Sequence, residues 1–193
     1  MNTFTLFFLI FLASSIVVQW ILIKRHIHHI RSHRESVPDA FSDKIPVDAH
    51  HKAADYTQAK VKTGLAELII GSVFLLLWTL GGGLQLLDNW WRSFELSNIW
   101  TGTGFMLSIF AIMAILDLPM SIYRTFKLEQ SFGFNKMTAQ IFITDLIKNA
   151  VVGALIATPL LLLVLWIMEN SGPYWWFYVW VTWLSFSLFM MWA

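Results

Sequence analysis

Cysteine is absent from all 193 residues, and with it go disulfide staples, thiolate metal sites and any cysteine nucleophile. Charge is scarce too. Asp, Glu, Lys and Arg make up 13% of the chain and the net charge is +1, so the clustered basic face that a nucleic-acid partner needs is lacking. The sequence holds no H-E-x-x-H, no G-x-S-x-G and no Walker-type glycine loop; Gly81-Gly82-Gly83 is not followed by Lys-Ser or Lys-Thr. These absences leave no catalytic or cofactor-binding residue to assign by motif.

What is abundant is apolar and aromatic. Hydrophobic residues reach 57%, with 16 Phe and 11 Trp, a composition that belongs to multi-span membrane proteins. Five stretches, 4–23, 65–87, 99–120, 149–168 and 174–193, each have the roughly 20 mostly apolar residues that a spanning helix requires. None alternates with the period of two that marks a barrel strand, and open sheets cannot satisfy their backbone in lipid. The expected fold class is therefore all-α: a polytopic membrane protein with five transmembrane helices in one domain, 1–193. No Lys or Arg precedes the first stretch, and no small-residue cleavage site follows it, so it reads as a retained helix and not a signal peptide.

Basic residues orient the chain. Lys24, Arg25, Arg31 and Arg34 follow the first span, and Arg124, Lys127, Lys136 and Lys148 lie in 121–148; segment 88–98 holds Arg92 alone, and 169–173 has neither Lys nor Arg. The positive-inside rule then predicts the amino terminus outside, cytoplasmic loops at 24–64 and 121–148, outer loops at 88–98 and 169–173, and a cytoplasmic carboxyl terminus. Trp90, Trp91, Trp100, Tyr174, Trp175 and Trp176 suit the interfaces. In the first loop, Asp48 is a candidate N-cap for a polar helix over 49–62 that runs into the second span.

All six His fall in that loop. On a continuing helix His26, His29 and His33 share a face, and the step from His29 to His33 is one by which two imidazoles can chelate zinc. No carboxylate stands between them, however, and Arg25, Arg31 and Arg34 would repel a dication. A basic collar facing anionic headgroups is the favoured reading. Among acidic residues near lipid depth (Glu67, Asp117, Asp145 and Glu169), Asp117 draws attention because it precedes Pro119 at the mouth of the third span.

The distinctive feature is a polar island between spans, Tyr123 to Lys136. Within it Phe132-Gly133-Phe134 puts two rings around a residue free to take positive φ, which predicts a tight turn. Asn135 or Thr138 can cap the helix that follows, and Glu129 and Lys136 are placed to pair across the turn.

Tyr123-Arg124-x-Phe126-x-Leu128-Glu129-x-x-Phe132-Gly133-Phe134-Asn135-Lys136 resembles the amino-terminal membrane region of the integral-membrane CAAX prenyl endopeptidases, a family of zinc metalloproteases. His51-Lys52-Ala53-Ala54-Asp55-Tyr56-Thr57-x-Ala59-Lys60 resembles the segment leading into that family's second membrane helix. The resemblance implies helices that enclose a water-filled chamber, and a zinc-protease domain further along the chain. By it, the island becomes a docking loop, non-catalytic, built from Tyr123, Arg124, Leu128, Glu129, Phe132, Gly133, Phe134, Asn135 and Lys136. Tyr56, Lys60 and Asp117 are secondary candidates. No catalytic, cofactor or metal ligand carries over; zinc is expected only in the full-length enzyme, with two imidazoles and a Glu as its ligands.

The implied partners are the lipid bilayer, the carboxyl-terminal zinc-protease domain and a peptide or prenylated-protein substrate, in a bacterial inner membrane or an endoplasmic reticulum membrane. Ending at Ala193 without a charged anchor, the sequence reads as a fragment that stops before the protease domain. A free-standing membrane scaffold and a small transporter are the alternatives.

Overall fold

The computed structural model describes residues 2–38, 41 and 43–192. Among them there is no strand, and six α-helices account for most of the chain: α1 (Thr3–Ser32), α2 (Val47–Thr79), α3 (Gly83–Arg92), α4 (Asn98–Tyr123), α5 (Ala139–Asn170) and α6 (Trp175–Trp192). A π-helical turn, Arg124–Glu129, extends α4, and a 3₁₀ turn, Gly172–Tyr174, links α5 to α6. Four helices are long and apolar enough to cross a membrane: α1, α2, α4 with its π extension, and α5. The fifth, α6, has 18 residues and no charge; its tryptophans lower its hydropathy without adding a polar face.

Two compact units divide the chain, one of residues 1–82 and 119–136, the other of 83–118 and 137–193. In the first, Asn2 caps α1 by accepting from the Thr5 amide at 2.8 Å. The carboxyl end of α1 is tied to the start of α2 by polar contacts. Arg34 donates from Nε and Nη2 to the two oxygens of Asp55, at 2.9 and 2.8 Å, and from Nη1 to Glu35 at 2.8 Å. These bonds, Asp55 foremost, push the Arg34 pKa above even the usual arginine range. Arg31 donates to Gln58 at 3.0 Å, and a His50 ring nitrogen meets the His33 carbonyl at 2.9 Å.

The expected polar helix and the second span are one continuous helix, α2, but it stops earlier than hydropathy implies. Pro46, not Asp48, occupies the cap position, and Asp48 sits in the first turn. Proline there needs no amide of its own. At the other end the helix finishes at Thr79, Gly82 takes φ 81°, and 83–92 form the separate helix α3. Apolar length alone cannot detect such a break, because Leu84, Leu86 and Leu87 continue the apolar run past the glycines.

In the second unit, α3 is amphipathic, with Leu84, Leu87 and Trp91 on one side and Gln85, Asp88 and Arg92 on the other. Trp91 donates to Ser108 of α4 at 2.9 Å. A Cβ built on Gly104 would lie 2.3 Å from the Trp91 ring, so glycine is what admits this indole. Gly102 likewise lets Leu165 of α5 approach, to 3.0 Å from a would-be Cβ. Thr138 caps α5, accepting from the Ile141 amide at 3.3 Å.

Hydroxyls in the apolar helices bond back one turn, as Thr63 to Ala59 at 3.0 Å, Ser72 to Leu68 at 2.7 Å and Thr103 to Ile99 at 2.8 Å. That satisfies them where water is scarce. Among the described residues Leu128 and Ile167 are the only buried hydrophobic side chains. Each unit thus presents apolar surface outward, as a protein solvated by lipid does.

Candidate functional site

The polar island is mostly helix. Residues 121–131 continue α4 through its π turn, the connecting turn occupies 132–138, and α5 begins at Ala139. The segment 121–148, expected to lie outside the membrane, is thus largely helical, and the helix that Asn135 or Thr138 was expected to cap begins after Thr138.

Gly133 ends the helix in a left-handed conformation, φ 72°. The Phe134 amide reaches back to the Glu129 carbonyl at 2.9 Å and the Gly133 amide to the Gln130 carbonyl at 3.0 Å. These two bonds make a Schellman cap, with glycine at the one position where a Cβ would be strained. The Asn135 amide shares the Glu129 carbonyl at 3.3 Å. Glu129 thus contributes its backbone, and among the described residues it forms no ion pair with Lys136. The expected pairing across the turn is replaced by backbone capping.

The cap fixes both rings. Phe132 and Phe134 each stand edge-on to Tyr56 of α2, centroids 5.4 and 4.9 Å away and planes at 71° and 77°. Edge-to-face packing of this kind favours both contacts electrostatically. The Lys52 ammonium lies 5.1 Å from the Phe134 centroid, and that of Lys60 lies 6.0 Å from Tyr56. Tyr56 is therefore the common seat of the two phenylalanines.

Below the cap, the π turn aims Arg124 at α2. Its Nη2 sits 2.8 Å from Glu67 Oε1, pairing a carboxylate that would be costly to leave alone so near the apolar stretch. Leu128, 5% exposed, packs beneath. Motif spacing did not reveal this ion pair; the available signal was an acid two residues into an apolar run, which calls for a counter-ion. Asp117 lies apart from these contacts, exposed on α4.

A cavity of about 510 Å³ adjoins the site, lined by Asp55, Gln58, Ala59, Lys62, Thr63 and Ala66 of α2 and by Met120, Tyr123 and Leu128. Among the described residues no group of three His, Asp or Glu is arranged to hold a metal. His29 and His33 face each other ring to ring, with centroids 4.2 Å apart, and a His33 ring nitrogen is engaged by the His29 carbonyl at 2.9 Å.

Apolar helices of spanning length, hydroxyls bonded back to their own backbone and a capped polar turn define a polytopic α-helical membrane protein. A family model described as CAAX prenyl protease N-terminal, five membrane helices, matches residues 26–193, and the chain belongs to that family. It is 30% identical over 154 residues to the CAAX prenyl protease 1 homolog of Caenorhabditis elegans, covering 78% of this chain and 34% of that protein. With CAAX prenyl protease 1 of Saccharomyces cerevisiae the identity is 30% over 144 residues, 69% of this chain and 32% of the relative. Over 88 residues it is 38% identical to the rice homolog, covering 46% of this chain and 21% of the relative. The crystal structure of S. mikatae Ste24p superposes with a TM-score of 0.89 at 23% identity, over 99% of this chain and 46% of that one. The chain spans 13% to 37% of the length of curated relatives of this kind, and under half of the solved structure.

Proposed function

We propose that this chain is the membrane-embedded amino-terminal domain of a CAAX-type zinc metalloendopeptidase. It forms part of a chamber wall and, through the turn over 132–138, a docking surface for a protease domain that supplies the zinc and its ligands. The complete protein hydrolyses peptide bonds of membrane-associated substrates, prenylated proteins among them. The observation that carries the reading is the cap itself: a Schellman glycine holds two phenylalanines on Tyr56. Such a rigid, partly exposed aromatic surface suits a partner domain better than it suits solvent.

Orientation follows from charge. The α1–α2 connection and the 132–138 turn face the cytoplasm, the side on which Lys and Arg accumulate. Family membership supports this division, in which another domain carries the chemistry.

The test is to assay zinc-dependent cleavage of a farnesylated peptide by the 193 residues alone and by a fusion with an H-E-x-x-H-bearing domain of the same family. Activity only in the fusion, lowered at least tenfold by Phe134→Ala, is the expected result. Zinc-dependent cleavage by the 193 residues alone overturns the reading.

A further inference from the structure

The cavity beneath Tyr123 is used neither by the capped turn nor by the Arg124–Glu67 pair, and its lining is graded. Along α2, residues 55 to 66 cover about 16 Å at 1.5 Å per residue. Asp55, Gln58 and Lys62 mark the polar end and Ala66 with Met120 the apolar end; Leu128 lies between, four residues from Arg124, which pairs with Glu67, and four from Phe132, which meets Tyr56. Leu65 begins the apolar stretch of α2, so the cavity crosses the level where headgroups meet acyl chains. Its volume, about 510 Å³, lies within the range of small-molecule sites.

Charge selects the occupant. Asp55 is engaged by both Arg34 nitrogens, at 2.8 and 2.9 Å, and offers little to a cationic ligand. Arg31 is held by the neutral Gln58 side chain at 3.0 Å. Among the described residues neither Arg31 nor Lys62 forms an ion pair. Lys62 on the lining, and Arg31 bonded to the lining residue Gln58, therefore leave positive charge beside an apolar floor, which is complementary to an anionic amphiphile and not to a free anion or a purely apolar chain.

We propose that this cavity binds an anionic phospholipid, its phosphate against Lys62, with Arg31 adding positive charge nearby through its bond to the lining residue Gln58, and the first part of an acyl chain along Ala66 and Met120. The site requires only that the protein be embedded in a bilayer, and so stands apart from the protease reading. Tyr123 also lines the cavity. Bound lipid would then bridge α2 and the end of α4, the two elements that carry the capped turn.

Native mass spectrometry of the complete chain in micelles doped with equal phosphatidylglycerol and phosphatidylcholine reads this directly. Phosphatidylglycerol adducts are expected to survive detergent removal and phosphatidylcholine adducts to be lost. Lys62→Glu should reduce phosphatidylglycerol retention at least tenfold, and Ala66→Trp, which fills the cavity, should do the same; Lys148→Glu on α5 should leave it unchanged. Equal retention of the two lipids, or displacement of phosphatidylglycerol by millimolar inorganic phosphate, overturns the proposal.

A photoreactive benzoylphenylalanine placed in cells at Tyr123, where a para-substituted ring already lines the cavity and Ala66 is left in place, keeps the test independent of the stability of the charge variant. A phospholipid adduct supports the site. Cross-links to polypeptide alone overturn it.

Discussion

Gly133 is the residue on which the turn depends most. At φ 72° an L side chain is strained whatever the space around it, and here the space is adequate, since a Cβ would meet only Lys52 Nζ at 3.7 Å. The cost of Gly133→Ala is therefore conformational, about 1 kcal/mol, and should appear as a lower thermal midpoint in detergent without loss of helical circular dichroism. The two phenylalanines act through one partner. A double-mutant cycle between Tyr56→Ala and Phe134→Ala should give a coupling of about 0.5–1.5 kcal/mol, whereas Tyr56→Phe, which keeps the ring, should be nearly silent. Arg124 belongs to a different mechanism: Arg124→Gln strands Glu67 and should cost about 1.5–3 kcal/mol. Adding Glu67→Gln should restore part of that, because an uncharged pair leaves no orphan carboxylate; equal or greater loss in the double variant, measured by thermal unfolding, would rule out the ion pair as the cause. These residues differ in how plainly the sequence announced them. Phe-Gly-Phe declared a tight turn because glycine between aromatics has few other uses, while the Glu67–Arg124 pair, 57 positions apart in the chain, depends on how α2 meets a π turn, which no local pattern encodes.

At the level of elements, apolar run length located the long helices and misjudged where they end. The reason is physical: hydropathy measures the part of a helix that lipid can surround, whereas helix length is set by caps and breakers. Pro46 starts α2 well ahead of its apolar stretch, Gly82 stops the stretch before its apolar residues run out, and Thr138 starts α5 among polar residues. Helix α3 was hidden for the same reason, its residues divided in the sequence reading between the end of a span and a loop. Its attachment makes a sharp prediction. Since a Cβ at Gly104 would sit 2.3 Å from the Trp91 ring, Gly104→Ala must displace the indole and break its 2.9 Å bond to Ser108. Overpacking of this kind costs about 1–3 kcal/mol. Ser108→Ala, which removes the acceptor and leaves the indole whole, should cost about 1 kcal/mol, and the Gly104→Ala, Trp91→Ala double variant should be less unstable than the two single effects summed. Strict additivity in thermal melts would mean that the ring and the glycine do not meet.

For the whole molecule, the open question that its own chemistry makes tractable is which way it lies in the membrane. A chain without cysteine needs no prior removal of thiols, so single cysteines can be introduced one at a time and probed with a maleimide that cannot cross the bilayer. The orientation proposed from charge puts 88–98 and 169–173 on one side, and the α1–α2 connection and the 132–138 turn on the other. Glu95→Cys and Ser171→Cys should label in intact cells, while Ser36→Cys and Lys136→Cys should label only after permeabilisation. Glu95 already holds φ 52° in a turn after α3, and Lys136 is exposed beyond the Schellman cap, so neither substitution removes a packed side chain. Labelling of Lys136→Cys in intact cells would put the aromatic surface of Phe132 and Phe134 outside, out of reach of a cytoplasmic protease domain. The docking role proposed for that turn would then fail even if every contact around Tyr56 were confirmed.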